Sequence, residues 1–92
     1  MKTGIELIND ERDEQLGPKH NRTIEYDVRV NELRQLSRAA AELIGDKKYY
    51  STPNGWDNQL WEKMTKKSYK KRLIIAGALI AAEIDRLQAT QD

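Results

Sequence analysis

The residues of this 92-residue chain best suited to chemistry are six cations that stand close together in front of its last helix. Residues 63–72 hold six lysine or arginine side chains and no acid. Ser68 is the predicted N-cap of that helix, with Thr65 as the alternative. Cations in a first helical turn oppose the helix dipole by about 0.3–1 kcal/mol each. A bound phosphate would offset this cost, because free backbone N–H groups and lysines would converge on it. The predicted phosphate-binding residues are Lys66, Lys67, Lys70, Lys71 and Arg72, together with Arg22.

Aromatic side chains lie near this cluster in the sequence. Trp56, Trp61 and Tyr69 are the predicted stacking residues, and a base that stacks on such a ring gains about 1–3 kcal/mol. Phosphate binding combined with base stacking predicts a small, anionic, nucleotide-like ligand. The alternative interpretation is a solvated lysine face over aromatic core residues, with the cations neutralised by acids of the first helix.

The one histidine offers a second kind of chemistry. His20 would act as a general base if Glu25 or Asp27 oriented its ring, and Arg22 and Thr23 would then add to a phosphate site. The alternative is an ordinary loop histidine. With one histidine and no cysteine, the chain lacks the ligands of a zinc site and has no thiol nucleophile. The sequence therefore predicts no catalytic residue, no metal and no cofactor.

An acidic pair in the first helix resembles part of a known metal site. The segment "DERDE" contains Glu11-x-x-Glu14, which looks like the first half of the magnesium-binding pattern of the all-α nucleoside triphosphate pyrophosphohydrolases. That family adds Glu-x-x-Asp on a later helix. Here Glu83 is followed by Asp85 two residues later, which is the wrong spacing for one helix face. A magnesium-dependent pyrophosphohydrolase is therefore retained only as an alternative.

A group of small phage and prophage proteins resembles this chain in four segments: "GIELINDERDEQ", "RTIEYD", "ELRQLSRAAAEL" and "KSYKKRLIIAGALIAAEIDRL". Those proteins begin with a helix containing Glu-Arg-x-x-Gln, matched here by Glu11, Arg12 and Gln15, and end in an "AGALIAAEIDRL"-type helix. The resemblance covers most of the chain but carries no functional residue. It implies a phage setting, in which a small protein without catalytic residues acts by binding. One such role is to sequester a cyclic nucleotide immune signal of the bacterial host, and another is to inhibit a host protein by surface contact.

Local signals predict the elements that would position these residues. Thr3 and Glu6 form a capping-box pattern that begins a first helix, and Gly17-Pro18 ends it. Residues 23–30 alternate apolar and polar side chains, which predicts an extended segment on the helices, or a short β-ribbon with "KKYYST" as partner. A second helix runs from an Asn31 cap to Gly45. A Pro53-Asn54-Gly55 turn and a short third helix follow.

The last helix is predicted to be the centre of an assembly. Leu73, Gly77, Ile80, Ile84 and Leu87 repeat at intervals of four and three residues, which is the spacing of a seam between packed helices. Apolar residues on the other faces predict that this helix is buried on every side, which one short chain would hardly achieve. The alternative is a central helix wrapped entirely by its own chain. The fold expected is an all-α bundle of three to four helices over residues 1–92, a single domain, with self-association through the last helix.

Composition limits the partners. A net charge of +1 argues against binding to long nucleic acids, whose partners are broadly basic. The longest apolar run has ten residues, about half of a bilayer span, so no membrane contact is expected. Without a secretory leader the chain is predicted to be cytoplasmic, in the bacterial host if phage-encoded.

Overall fold

Five α-helices account for the regular structure in the part of the chain that the computed structural model describes, residues 1–45 and 51–90. The helices are α1 (Gly4–Leu16), α2 (Ile24–Val30), α3 (Gln35–Ile44), α4 (Asn58–Thr65) and α5 (Tyr69–Thr90). The all-α prediction is confirmed, but the described residues hold five helices rather than the expected three to four. None of the described helices is long and apolar enough to cross a bilayer.

The helix termini follow the capping signals of the sequence. The Thr3 hydroxyl accepts from the Glu6 N–H while the Glu6 carboxylate accepts from the Thr3 N–H, which completes the capping box. Ser68 accepts from the Lys71 N–H at 3.2 Å and so caps α5. Gly45 ends α3. The Pro53 carbonyl accepts from the Trp56 N–H at 3.0 Å, and Gly55 at φ 83° takes the left-handed position of this turn.

The prediction of an extended segment at residues 23–30 is wrong, because this segment is α2. The Thr23 hydroxyl accepts from the Tyr26 N–H and caps the helix. Asn31, predicted to begin the next helix, is instead the C-cap of α2, and its side-chain amide donates to Asp27 at 2.7 Å. The short helix is stabilised by packing against α5, which outweighs the strand preference of its β-branched residues. The proposed strand partner, "KKYYST", lies mostly outside the described residues.

The hydrophobic core lies against one side of α5. This helix contacts all four of the other described helices. Alanines allow α3 and α5 to approach closely, since Ala39, Ala40, Ala76 and Ala82 are each at most 1% exposed. The larger core residues are Leu36, Leu43, Trp61, Met64, Ile75 and Leu79. α5 therefore occupies the centre of the described bundle.

The expectation that α5 is buried on every side is wrong, because the side of the helix opposite the core is partly exposed. Leu73, Ile80, Ile84 and Leu87 are 41–51% exposed; these four residues are called the exposed strip below. Gly77, predicted to belong to the same seam, lies instead against α1, where a Cβ atom would come within 2.6 Å of the Ile8 Cδ1. Glycine at this position permits the close contact between α1 and α5.

Candidate functional site

Two adjoining cavities open between the α1–α2 connection, α4 and the start of α5. The first is about 350 Å³ and the second about 230 Å³, and they share His20, Arg22 and Leu60. We call the two together the basic cleft. Its charged and aromatic lining residues are Glu11, Lys19, His20, Arg22, Tyr26, Trp56, Asp57, Lys63, Lys67 and Lys71.

The charge of the cleft is strongly positive although the chain is nearly neutral. Five lysine or arginine side chains face two carboxylates, which gives +3 over the described lining residues with His20 neutral. One cation is neutralised within the fold, since Lys71 Nζ donates to Glu11 Oε1 at 2.8 Å. Asp57 is engaged as the N-cap of α4, where it accepts from the Leu60 N–H. The excess positive charge makes the cleft attractive to anions.

Arg22 is the only partly buried cation among the described cleft residues that forms no ion pair. Its guanidinium lies 5.4 Å from the centre of the Trp56 ring, and it forms no ion pair among the described residues. Burial lowers the pKa of Arg22, although the nearby Tyr26, Asp27 and Glu11 oppose that effect. A cation removed from water without an ion partner is stabilised by any anion that reaches it.

Trp56 forms a fixed wall of the cleft. Its indole Nε1 donates to Asn31 Oδ1 at 2.8 Å, and its ring meets Trp61 edge to face at a centroid distance of 5.8 Å. Asn31 is itself held by Asp27, so a chain of buried hydrogen bonds orients the ring. A ring held in this way offers a preorganised surface for a planar ligand.

A buried polar layer lies under the cleft. Asp27 is 1% exposed, and its Oδ2 has no hydrogen-bond partner among the described residues. Burial raises the pKa of Asp27, while the Asn31 hydrogen bond and the charges of Arg12 and Arg22 oppose the rise and Glu83 adds to it. Two ion pairs complete the layer, Arg12 with Asp85 at 3.1 Å and Glu83 with Arg86 along α5.

The structure brings four of the nine predicted ligand-binding residues together. Arg22, Lys67, Lys71 and Trp56 line the cleft. The others face elsewhere: Lys66 is the exposed C-cap of α4, Lys70 borders an apolar groove beside Leu73, and Arg72 donates to the Leu43 carbonyl with its guanidinium over the ring of Tyr69.

The prediction that Trp61 stacks on a ligand is wrong. At 2% exposure it is part of the core and has no open face for a ligand. Sequence reasoning did not assign Lys19, Tyr26 and Lys63 to the site. Lys63 lies in α4, Lys67 in the α4–α5 connection and Lys71 in α5, so no single helical period marks the three in the sequence, and their convergence depends on how α5 follows α4.

The two enzymatic alternatives are not assembled as the sequence suggested. Glu14 lies 3.7 Å from His20, whereas neither Glu25 nor Asp27 is bonded to the histidine ring. Glu11 is paired with Lys71, and Glu14 lies beside His20 with a carboxylate that is 59% exposed. In the described ranges no group of three or more acidic or histidine side chains is placed to hold a metal ion.

Comparison of the chain with protein family models, curated proteins and solved structures finds no match.

Proposed function

We propose that this protein binds a small nucleotide-like anion in the basic cleft. The observation that carries the proposal is the +3 cleft in which a desolvated arginine lies on the face of an oriented tryptophan. Cations for phosphate and a planar surface for a base therefore occur in one place. The combined cavities fall within the range of about 300–1,000 Å³ typical of small-molecule sites.

The phosphate would lie towards Arg22, Lys63 and Lys67. Arg22 gains most from an anion because it has lost water without gaining an ion partner. Its planar guanidinium can donate two parallel hydrogen bonds to phosphate oxygens. The two lysines are exposed and add attraction at longer range, while Lys71 remains beside Glu11.

The base would lie against Trp56, with Tyr26 on the same cavity wall. Stacking on one ring contributes about 1–3 kcal/mol and tolerates any base. The proposal therefore specifies a class of ligand, a phosphate ester that carries an aromatic base, rather than one nucleotide. The resemblance to phage proteins supports a sequestering role, in which a cyclic nucleotide immune signal is bound without being cleaved.

Reversing the charge of two lysines in the cleft tests the proposal. Lys63→Glu with Lys67→Glu is expected to weaken nucleotide binding at least tenfold, a loss of about 1.4 kcal/mol, because two cations become anions beside the phosphate. Isothermal titration calorimetry against nucleoside mono-, di- and triphosphates and cyclic di- and trinucleotides would measure the change.

The chain offers a matched control in the same segment. Lys66→Glu with Lys70→Glu makes the same change in net charge outside the cleft and is expected to leave the affinity within about twofold after correction for ionic strength. If the control pair weakens binding as much as the cleft pair, the ligand does not occupy the cleft. If the wild-type protein binds no compound of the panel, the function proposed is wrong.

We also infer that the protein self-associates through the exposed strip, with a second copy of α5 as the occupant. From Leu73 to Leu87 the strip extends about 21 Å along the helix, and its four- and three-residue spacing suits helix pairing. An antiparallel arrangement would place the basic start of one α5 against the free carbonyls at the C-terminal end of the other, a favourable pairing of charge and helix dipole.

Ile80→Lys with Ile84→Lys is expected to convert the dimer into a monomer, because two charges would be buried in an apolar contact. Sedimentation velocity at micromolar concentration measures the change. Leu33→Lys replaces an equally exposed apolar residue away from α5 and is expected to leave the dimer intact. A wild-type protein that sediments as a monomer contradicts the inference and favours a different protein as the partner of the strip.

A further inference from the structure

Arg22 covers the surface of Trp56 on which a base would stack. The guanidinium carbon lies 5.4 Å from the ring centroid, within the distance of a favourable cation–π contact. The ring also meets Trp61 in a T-shaped contact, and its indole N–H donates to Asn31. The ring is therefore held by two contacts, whereas the Arg22 guanidinium forms no ion pair among the described residues and is the less constrained group of the two.

The backbone around Arg22 is fixed, so a change at this position is confined to the side chain. The Arg22 N–H donates to the Gln15 carbonyl at 2.9 Å, and the Asn21 N–H donates to the Gly17 carbonyl at 2.7 Å. Asn21 has φ 50°, in the left-handed region that asparagine tolerates better than most residues. The loop thus presents the arginine at a fixed point on the cleft rim, where both cavities meet.

We propose that Arg22 is a specificity-determining residue that gives a base access to Trp56 only when the ligand carries a phosphate. This rests on the proposed function and adds a selection rule to it. A phosphate in the neighbouring cavity accepts charge-assisted hydrogen bonds from the guanidinium, and these are stronger than its contact with the ring. The arginine then moves to the phosphate, and the exposed ring face receives the base. A nucleoside must displace the same arginine without offering it a partner.

The rule predicts opposite effects of one substitution on two kinds of ligand. Arg22→Ala removes both the phosphate donor and the cover over the ring. It is expected to weaken binding of a nucleoside monophosphate about tenfold and to strengthen binding of the matching nucleoside about threefold, on the scale of one charge-assisted contact and one cation–π contact. If Arg22 had only a structural role, its removal would change the affinities for both ligands in the same direction.

The probes are the four 5′-ribonucleoside monophosphates and the four matching nucleosides, titrated calorimetrically into wild type, Arg22→Ala and Arg22→Gln. The glutamine variant retains a polar side chain and serves if the alanine variant unfolds. Arg38→Ala is the control, because it removes an exposed arginine of α3 that does not line the cleft. It is expected to leave the ratio of monophosphate to nucleoside affinity unchanged.

Tryptophan fluorescence provides a second readout. Monophosphate binding is expected to change the emission of the wild type and not of Trp56→Phe, which retains only Trp61. If monophosphates bind but Arg22→Ala leaves the affinity ratio unchanged, or weakens nucleosides as well, the selection rule is wrong and the proposed function stands. If the wild type binds none of the eight probes and none of the larger panel, both fail.

Discussion

Trp61→Ala is expected to lower the free energy of unfolding by about 3–5 kcal/mol, the range found when a buried aromatic side chain is deleted. Trp61 is 2% exposed and belongs to the core cluster with Leu36, Leu79 and Met64. The alanine would leave a cavity that neighbouring helices cannot fill without moving. A loss of this size is a large part of the total stability of a small domain, so the variant is expected to be partly unfolded at 37 °C.

Urea denaturation followed by far-UV circular dichroism measures the loss, and Trp56→Ala is its matched control. Trp56 is only half-buried and lies at the cleft, so its removal is expected to cost less stability while abolishing base stacking. The two substitutions thereby separate a core tryptophan from a ligand-binding one. A Trp61→Ala protein that loses less than about 1.5 kcal/mol contradicts the assignment, since that value is typical of far smaller deletions.

The parts of the fold that sequence reasoning predicted correctly are those specified by neighbouring residues. The Thr3–Glu6 capping box, the Ser68 cap and the glycine that ends α3 each act within one helical turn. The Pro53–Trp56 turn depends on a left-handed glycine two residues after the proline. Such signals require no knowledge of tertiary packing, which is why they are readable from the chain alone.

Residues 23–30 show where local pattern is ambiguous. Alternation of Ile24, Tyr26, Val28 and Val30 fits a strand, but the pairs four residues apart also fit a helix. The decisive signals were the Thr23 cap and the Asp27–Asn31 pair, which bond only at helical spacing. Interpreting the alternation as a strand also made Asn31 the start of a helix rather than the end of one. The final choice depends on packing against α5, a contact distant in sequence.

The candidate site, by contrast, depends mainly on tertiary packing. The convergence of Lys63, Lys67 and Lys71 cannot be predicted from helical spacing, because they lie in α4, in the α4–α5 connection and in α5 respectively. The meeting of Arg22 with Trp56 cannot be predicted from local pattern either, because 34 positions separate them and neither residue lies within a helix. Likewise, the core position of Trp61 and the exposed strip of α5 follow from which side of each helix faces α3. Sequence periodicity alone does not fix that orientation.

The buried Asp27 makes the stability of the protein depend on pH in a direction unusual for a carboxylate. Because its pKa is raised by burial, the folded state holds the proton more tightly than the unfolded chain, whose aspartates titrate near pH 3.9. The stabilising contribution is complete below that pH and is lost as the pH rises through the folded-state pKa. A salt-bridged aspartate would behave in the opposite way.

Asp27→Asn removes this titration but keeps an acceptor oxygen for Asn31. Its stability relative to wild type is therefore expected to increase with pH from about pH 4, with a slope of at most about 1.4 kcal/mol per pH unit, the limit for one proton. Urea unfolding of both proteins between pH 4 and 8 measures the difference. Asp13→Asn, which removes an exposed carboxylate from α1, is the control and is expected to parallel the wild type.

A difference between Asp27→Asn and wild type that stays flat, or decreases as the pH rises, contradicts the assignment of a destabilised buried carboxylate. An increase has a consequence for the cleft, because Asp27 holds Asn31 and Asn31 holds the indole of Trp56. Charge on Asp27 strengthens its hydrogen bond from Asn31 and attracts Arg22, one of the cations that opposes the rise in its pKa. The ring and the arginine that covers it are thus both coupled to one buried proton, so the pH that destabilises the fold also favours an oriented cleft.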